Sequence, residues 1–335
     1  MLYINLPVGN YYGWAVCGKN LVRELSKLTA VRYVPDKVND TAPKDYETDK
    51  FIKSITAVPN GNKFNYLQNI ENINGSMKYK GSKNVGYMFY EEEKMLPDLV
   101  ELVKEFDVIA TGSEWNSDVV RSHGHNNVVT IHQGVDCEIF KSIEKSIFKD
   151  QFVIFSGGKI EPRKAQDLVA YCVGLMQRKH KDVFLIASWV NLFAPDEMNQ
   201  GNFKNVMSYL IPSQTVLLDI MGQNDMARYI AETDIGLFPN RCEGGTNLVM
   251  MEYMACSKPV IANYSTGQKD VLDKDYALLV EGKSDDEIVN GCLEQLEYIY
   301  QKRERIEDMG RKAKEAMEKF TWEKTAKEFM KIYNG

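Results

Sequence analysis

The chain has 335 residues, of which 44% are hydrophobic, and a formal net charge of −6. This length accommodates two domains of ordinary size, and the acidic balance argues against a nucleic-acid partner held mainly by phosphate contacts. No stretch of about 18 consecutive apolar residues is present, which excludes a membrane-spanning helix. The N-terminus has neither a basic region nor a long apolar run, so we expect no signal peptide and a cytoplasmic protein.

Six cysteines are spread along the chain without a C-x-x-C pair. The four histidines are not arranged with them at metal-ligand spacing. Reduced, structural thiols in a cytoplasmic protein are therefore predicted, and no zinc site.

The first half alternates predicted strands and helices. Strands are predicted at 2–5, 31–34, 85–89, 108–111 and 128–131. A helix is predicted at 14–27, after a glycine-containing loop at 6–13, whereas residues 36–82 are polar and remain unassigned. Strand–helix alternation indicates parallel sheets with right-handed crossovers.

The second half repeats this architecture after a predicted linker at 137–150. Strands are predicted at 152–156, 183–187, 215–218, 234–238, 259–262 and 277–280. Amphipathic helices are predicted at 285–301 and 303–319. Residues 198–212 are predicted as an irregular insertion, either a lid or specificity loop or a surface decoration.

The segment 240–256 is the most informative part of the chain. Glu243 and Glu252 bracket two glycines and an apolar run that is predicted to form a buried helix. Because a buried strand is predicted just before it, the order is strand, glycine loop, helix. Such an order also occurs in any α/β protein, and Glu near a helix start is ordinary dipole complementation.

The loop itself has features of a ligand site. Gly244 and Gly245 lack a Cβ, so a ligand can approach the backbone closely. Thr246 or Asn247 can cap the helix, whose free N–H groups suit an anion. A phosphate plus many hydroxyls, as in a nucleotide sugar, would match these groups together with the two carboxylates.

A second strand–glycine–helix segment lies at 151–168. A buried strand is followed by two glycines, and both Lys159 and Lys164 are predicted to lie on the loop before a helix that starts near Ala165. Ligands of α/β sheets bind at this carboxyl end of the strands. The two ammonium groups could neutralise a diphosphate without a metal; the alternative is a solvated basic loop.

Together these segments resemble the retaining glycosyltransferases of family 4, which have the GT-B fold. That family carries a G-R-x-x-x-x-K-G loop, here Gly158-Lys159 through Lys164-Ala165, and a Glu–seven residues–Glu motif. Here eight residues separate Glu243 from Glu252. The resemblance extends over roughly residues 83–330, in family order, and includes the following further segments: 110–116, 131–136, 216–234, 258–262 and 320–323.

The resemblance implies two Rossmann-like α/β domains that face each other across a cleft. It implies an N-terminal acceptor-side domain at 1–140 and a nucleotide-sugar-binding domain at 141–319. A C-terminal helix at 320–335 would then cross back to the N-terminal domain.

The resemblance also assigns roles to residues. Lys159 and Lys164 would hold the diphosphate, Glu252 the ribose and Glu243 the transferred sugar. Backbone N–H groups of the glycine loop would complete the phosphate cradle. The residues of this loop and of the nucleotide site are Gly244, Gly245, Thr246, Asn247 and Glu252.

Three residues in the first half complete the implied site. Glu91 stands where many family members place a His next to the reacting sugar. Gly9 and Gly13 fit the glycines that bring the first helix close to the donor phosphate. Two departures concern the lysine loop: Lys159 replaces the usual Arg and loses its bidentate fork, and Ala165 replaces the usual Gly, which is expected to matter little.

The implied function is metal-independent transfer of a sugar, with retention, from a nucleoside-diphosphate sugar, UDP- or GDP-linked. No cofactor is expected, and the acceptor would be a carbohydrate, a lipid-linked sugar or another small molecule, with peripheral membrane contact as an option. Three alternatives remain: a nucleotide-sugar 2-epimerase of the same fold, a non-catalytic nucleotide-sugar-binding protein, and a glycosyltransferase acting on nucleic-acid bases. The acidic balance disfavours the last of these.

Overall fold

The computed structural model describes residues 1–35, 44–59, 63–70, 77–190 and 201–334. The chain divides into two compact units. Unit 1 comprises Met1–Gly134, Glu243–Leu248 and Phe320–Gly335, and unit 2 comprises Val135–Cys242 and Val249–Lys319. The division therefore falls at Gly134 instead of 140, and it adds a short segment near residue 245 to unit 1.

Unit 1 is built on a parallel six-stranded sheet with the strand order β2-β1-β3-β4-β5-β6. The strands are β1 (Leu2–Asn5), β2 (Val31–Tyr33), β3 (Asn65–Asn69), β4 (Lys83–Met88), β5 (Val108–Thr111) and β6 (Val128–Thr130). The helices of this part are α1 (Gly13–Leu28), α2 (Tyr46–Ile55), α3 (Pro97–Val103) and α4 (Glu114–Ser122).

Unit 2 is built on a second parallel six-stranded sheet, with the order β12-β11-β10-β7-β8-β9. Its strands are β7 (Phe152–Lys159), β8 (Val183–Val190), β9 (Thr215–Leu217), β10 (Ile235–Phe238), β11 (Val260–Asn263) and β12 (Ala277–Val280). Its helices are α5 (Gln166–Lys179), α6 (Gly201–Met207), α7 (Gln223–Ala231), α8 (Leu248–Ala255), α9 (Asp285–Gln301) and α10 (Ile306–Met317). Leu248 itself is counted in unit 1.

Two parallel α/β sheets of this kind confirm the predicted Rossmann-like fold class. The region 36–82, which remained unassigned from the sequence, contains α2 and β3. Two local predictions are wrong. Strand β7 continues to Lys159 instead of ending near 156. The predicted insertion at 198–212 is not irregular after residue 200, because α6 occupies 201–207; residues 198–200 lie outside the described part of the chain.

The last helix, α11 (Trp322–Asn334), packs against α1. Its buried face includes Trp322 and Phe329, and the Phe329 ring lies edge-on to Tyr87 of β4 at 5.0 Å between centroids. The Thr325 hydroxyl donates to the His132 carbonyl at 2.9 Å. Helix α11 thus forms part of the core of unit 1.

Among the helices of the described residues, none is long and apolar enough to cross a membrane.

Candidate functional site

The carboxyl end of β7 brings both predicted lysines together. Lys159 is the last residue of this strand and pairs with Val190 of β8, so it lies at the strand's carboxyl end and not, as predicted, in the loop. Gly158 has a φ of +140° that favours glycine. A Cβ built on Gly158 would lie 3.6 Å from Cδ of Lys164, so the stem of Lys164 runs alongside this glycine. Gly158 is therefore followed in sequence by Lys159 and bordered by the stem of Lys164.

A short turn carries Lys164. Residues Pro162–Lys164 form one turn of 3₁₀ helix, and α5 begins two residues later. Between them Ala165 adopts a left-handed conformation, with φ 57° and ψ 37°. A Cβ in this region costs about 1–2 kcal/mol that glycine avoids. The expectation that an alanine here matters little stays a prediction.

A carboxylate holds the basic side chains in place around this turn. Glu161 forms an ion pair with Lys159, and its second oxygen lies 2.6 Å from a guanidinium nitrogen of Arg163. One acidic group therefore lies among cationic side chains at the strand end. In a site of this composition an incoming anion would find cations already oriented toward negative charge.

The start of α8 lies against the same strand end. A Cβ on Gly157 would lie 2.9 Å from Cγ1 of Val249, the second residue of α8. Glu252 follows Val249 by three residues, so the two side chains lie on neighbouring positions of one helix face. Glu252 is buried and accepts a hydrogen bond of 2.8 Å from the side-chain amide of Gln223, at the start of α7. The glycines of β7 therefore lie between the stem of Lys164 and Val249, and Glu252 lies one turn further along the same helix.

The glycine loop before α8 belongs to unit 1. A Cβ on Gly244 would lie 2.3 Å from the carbonyl oxygen of Tyr90, and one on Gly245 would lie 2.8 Å from the Phe89 ring. The Ser113 hydroxyl donates to the Gly244 carbonyl at 2.8 Å. The neighbours that demand glycine here are thus protein atoms. Close approach of a ligand to this backbone, including contact with the loop's N–H groups, stays a prediction.

The other residues of this loop are largely hidden from solvent. Glu243, Thr246 and Asn247 are all buried. Asn247 has a φ of 63°, a left-handed conformation that Asn tolerates better than most residues. This backbone reversal immediately precedes Leu248, where α8 begins.

The predicted residues of the first half lie at two element ends of unit 1. Glu91 follows Tyr90, whose carbonyl borders Gly244, and is partly exposed. Gly13 is the first residue of α1, and a Cβ there would meet open space. At Gly13 a ligand would therefore meet an accessible helix N-terminus.

Sequence reasoning missed Gln223 and Arg241. Gln223 could have been noticed as the first polar residue of a helix that follows a strand end. Arg241 stands two residues before Glu243, but its partners Asp167 and Asp285 are distant in sequence. Only the parallel sheet brings these three residues together.

Known proteins resemble this chain in sequence and in fold. Residues 150–297 match the family model for glycosyl transferases group 1. That span includes Lys159, Lys164, Glu243 and Glu252, which are the main predicted donor-site residues.

Two curated relatives align with parts of the chain. An uncharacterized glycosyltransferase of Methanocaldococcus jannaschii is 27% identical over 135 residues, which cover 39% of this chain and 37% of the relative. A D-inositol 3-phosphate glycosyltransferase of Paenarthrobacter aurescens is 24% identical over 209 residues, which cover 58% of this chain and 48% of the relative. The chain thus spans less than half the length of these relatives.

Solved structures match nearly the whole chain. Sucrose-phosphate synthase of Thermosynechococcus elongatus has a TM-score of 0.75 at 14% identity, covering 99% of this chain and 98% of its own. HepE of Anabaena, solved in complex with UDP-glucose, has a TM-score of 0.73 at 12% identity, with the same coverage. At such identities the likeness shows the fold alone, and it confirms the GT-B prediction of two Rossmann-like domains.

Proposed function

We propose that the protein is a glycosyltransferase that moves a sugar from a nucleoside-diphosphate sugar to an acceptor with retention of anomeric configuration. The observation that carries the proposal is that Lys159 ends β7 and the stem of Lys164 runs beside Gly158 of the same strand, near the start of the helix that carries Glu252. These residues lie inside the region that matches the group 1 glycosyl transferases. The fold shared with HepE, which was solved with UDP-glucose, is consistent with such a donor.

Each group has a role that its chemistry suits. The two ammonium groups would neutralise the diphosphate and stabilise the charge that develops on it as the sugar leaves. Glu252 would accept hydrogen bonds from the ribose hydroxyls, and Glu243 from hydroxyls of the transferred sugar. Fixed cations of this kind act without reorganisation during the reaction, which is what makes them effective.

Backbone and first-half groups would complete the donor site. The N–H groups of residues 245–247 would bind phosphate oxygens at the start of α8. Gly13, at the open N-terminus of α1, would bring a second helix N-terminus to the donor. Glu91 would contact the sugar, without being assigned a nucleophilic role.

Metal independence is part of the proposal. Two lysines and a helix N-terminus supply positive charge where a divalent ion would otherwise neutralise the diphosphate. We therefore expect transfer or donor hydrolysis to persist in excess EDTA. Complete loss of activity that manganese restores would contradict this part of the proposal.

The test is a screen of UDP- and GDP-linked sugars by thermal shift, followed by product analysis with a panel of acceptors. A donor should raise the melting temperature, because a ligand that binds only the folded state stabilises it. Free nucleoside diphosphate together with a glycosylated acceptor is the expected product. Conversion of the donor to an epimer without acceptor would instead identify an epimerase, and donor binding without any turnover would identify a binding protein.

A second test separates the roles of the two acidic residues. Glu243→Gln should leave the affinity for UDP or GDP within about twofold and depress turnover, because it would contact only the transferred sugar. Calorimetry with the nucleotide and kinetics with the donor measure the two effects. A large loss of nucleotide affinity in this variant would assign Glu243 to the nucleotide.

A further inference from the structure

Arg241 uses its whole guanidinium group inside the protein. Its Nε and Nη2 donate to the Asp285 carboxylate at 2.8 and 2.9 Å, and its Nη1 and Nη2 donate to Asp167 at 3.0 and 2.7 Å. Nη1 also donates to the carbonyl of Pro162. Together these bonds engage every N–H donor of the guanidinium group. The side chain therefore has no donor left for a phosphate.

Arg241 binds the turn that carries Lys164 and the first turns of helices α5 and α9. Asp167 lies in the first turn of α5, and Asp285 is the first residue of α9. The Arg241 backbone N–H donates to the Arg163 carbonyl at 2.8 Å. Arg241 thus binds two successive carbonyls of the turn at 162–164, as well as the helix that follows this turn.

This turn needs to be held because of Ala165. Its left-handed conformation is unfavourable for any residue with a Cβ, and such strain persists only where surrounding contacts impose it. A hydrogen bond of 3.2 Å from the Ala165 N–H to the Pro162 carbonyl closes the turn. Arg241 therefore binds the Pro162 carbonyl, the same group that closes the strained turn.

We infer that Arg241 is a positioning residue: it holds the turn at 162–165 in its strained conformation and thereby places Lys164 beside Gly158. The inference rests on the proposed function in assigning Lys164 to the donor diphosphate. Without Arg241, Ala165 would relax toward a right-handed or extended conformation. Lys164 would then leave Gly158, while the fold of the sheet would persist.

The binding experiment compares Arg241→Ala with Arg303→Ala. Arg303 also forms an ion pair in unit 2, with Asp182 at 2.6 Å, but Asp182 precedes β8 at the opposite, amino end of the strands. Calorimetry measures the affinity for UDP, GDP and the corresponding free nucleosides. We expect Arg241→Ala to weaken diphosphate binding about tenfold and nucleoside binding less than about twofold, and Arg303→Ala to change neither.

A rescue variant separates positioning from general loss of stability. Glycine adopts the left-handed conformation without steric cost, so adding Ala165→Gly to Arg241→Ala should restore a large part of the diphosphate affinity. Arg241→Lys keeps the charge but loses the forked arrangement of N–H donors, so its diphosphate affinity should be close to that of Arg241→Ala. Equal losses for diphosphate and nucleoside, or a double variant no better than Arg241→Ala, would overturn the inference.

Hydrogen exchange tests the inference without any ligand. Arg241→Ala should increase amide exchange in residues 159–166 of the ligand-free protein, and Arg303→Ala should not. Wild-type protein that binds neither UDP nor GDP would count against the proposed function, while this exchange difference would still support the positioning of the turn. Unchanged exchange in residues 159–166 would reject the positioning role whatever the protein binds.

Discussion

Gln223 donates a hydrogen bond of 2.8 Å from its side-chain amide to a carboxylate oxygen of Glu252. Gln223 begins α7 and Glu252 lies within α8. These helices follow β9 and β10, which are separated in the second sheet by β7 and β8. Glu252 is buried, so its orientation depends on such partners. The bond therefore aligns the acidic group that we assign to the ribose before any ligand arrives.

Glu252→Gln should weaken binding of UDP or GDP, and of the free nucleoside, by about tenfold or more, because a charge-assisted bond is worth about 1.5–3 kcal/mol. Gln223→Ala should weaken both ligands by a smaller factor, since it removes only the alignment. Glu232→Gln is a matched control and should change neither affinity, because Glu232 is also buried in unit 2 but accepts a hydrogen bond from the backbone N–H of Ile147. Unchanged nucleoside affinity in Glu252→Gln would remove Glu252 from the ribose site.

Lys164→Ala should discriminate between phosphate and nucleoside. The ammonium group would contact only the diphosphate, so affinity for UDP or GDP should fall about tenfold or more, with little change for the nucleoside. Lys179→Ala removes an exposed lysine of α5 that pairs with Glu297, and should leave both affinities unchanged. Calorimetry on the three proteins decides; a parallel loss for both ligands would contradict the diphosphate role.

Ala165→Gly alone should leave the free energy of unfolding unchanged or raise it by up to about 1 kcal/mol, because relief of the left-handed strain of about 1–2 kcal/mol offsets a lost buried methyl of about 0.8 kcal/mol. Ala170→Gly, also fully buried but inside α5, should cost at least about 1 kcal/mol. Urea denaturation measures both. Similar losses for the two variants would show that Ala165 is unstrained.

We expect the buried carboxyl of Glu232 to make the protein less stable in acid. Burial raises the pKa of this carboxyl, but the Ser146 hydroxyl and the N–H groups of Ser146, Ile147 and Phe148 outweigh burial and bring the pKa below its ordinary value of 4.5. A depressed folded-state pKa means that the stabilisation is fully present above the unfolded-state value and is lost as the pH falls through the folded-state value. Stability measured by urea denaturation should therefore decline below about pH 4.5.

Glu232→Gln should be less stable than the wild type at pH 7 by about 1–3 kcal/mol, because its amide group cannot accept all of these N–H bonds. The difference should shrink in acid, where the wild-type carboxyl is also neutral. A constant difference from pH 7 to below pH 4 would show that Glu232 does not supply this acid dependence.

Sequence patterns predicted the alternation of strands and helices because buried parallel strands are continuous apolar runs. They missed β3, where Gln68 and Asn69 are buried in the middle of the sheet. Gln68 is satisfied by a pair of hydrogen bonds with the backbone of Tyr79, a partner that no local pattern indicates. Polar residues in a central strand look like a loop until such partners are known.

The candidate site shows the same difference between features that are visible in the local sequence and features that depend on distant partners. The residue types and spacing of Lys159, Lys164 and Glu252 could be read along the chain, because the three residues lie in or next to predicted strand–glycine–helix segments. The backbone conformation of Ala165 and the five bonds of Arg241 could not, because they depend on residues brought together only by the sheet order. Local sequence patterns thus suggest candidate ligand-binding groups, whereas the contacts that hold such groups in place become visible only in the fold.

The packing of α11 in the core of unit 1 also affects the order of events during translation. Helix α1 emerges from the ribosome long before its partner α11, and all of unit 2 is synthesised between them. Unit 2 can therefore fold on the ribosome while the apolar groove that will receive Phe329 is still uncovered. A chain truncated after residue 319 should be cleaved by protease within residues 1–134 and protected within 150–300. Equal protection of both would show that the first sheet is stable without its last helix.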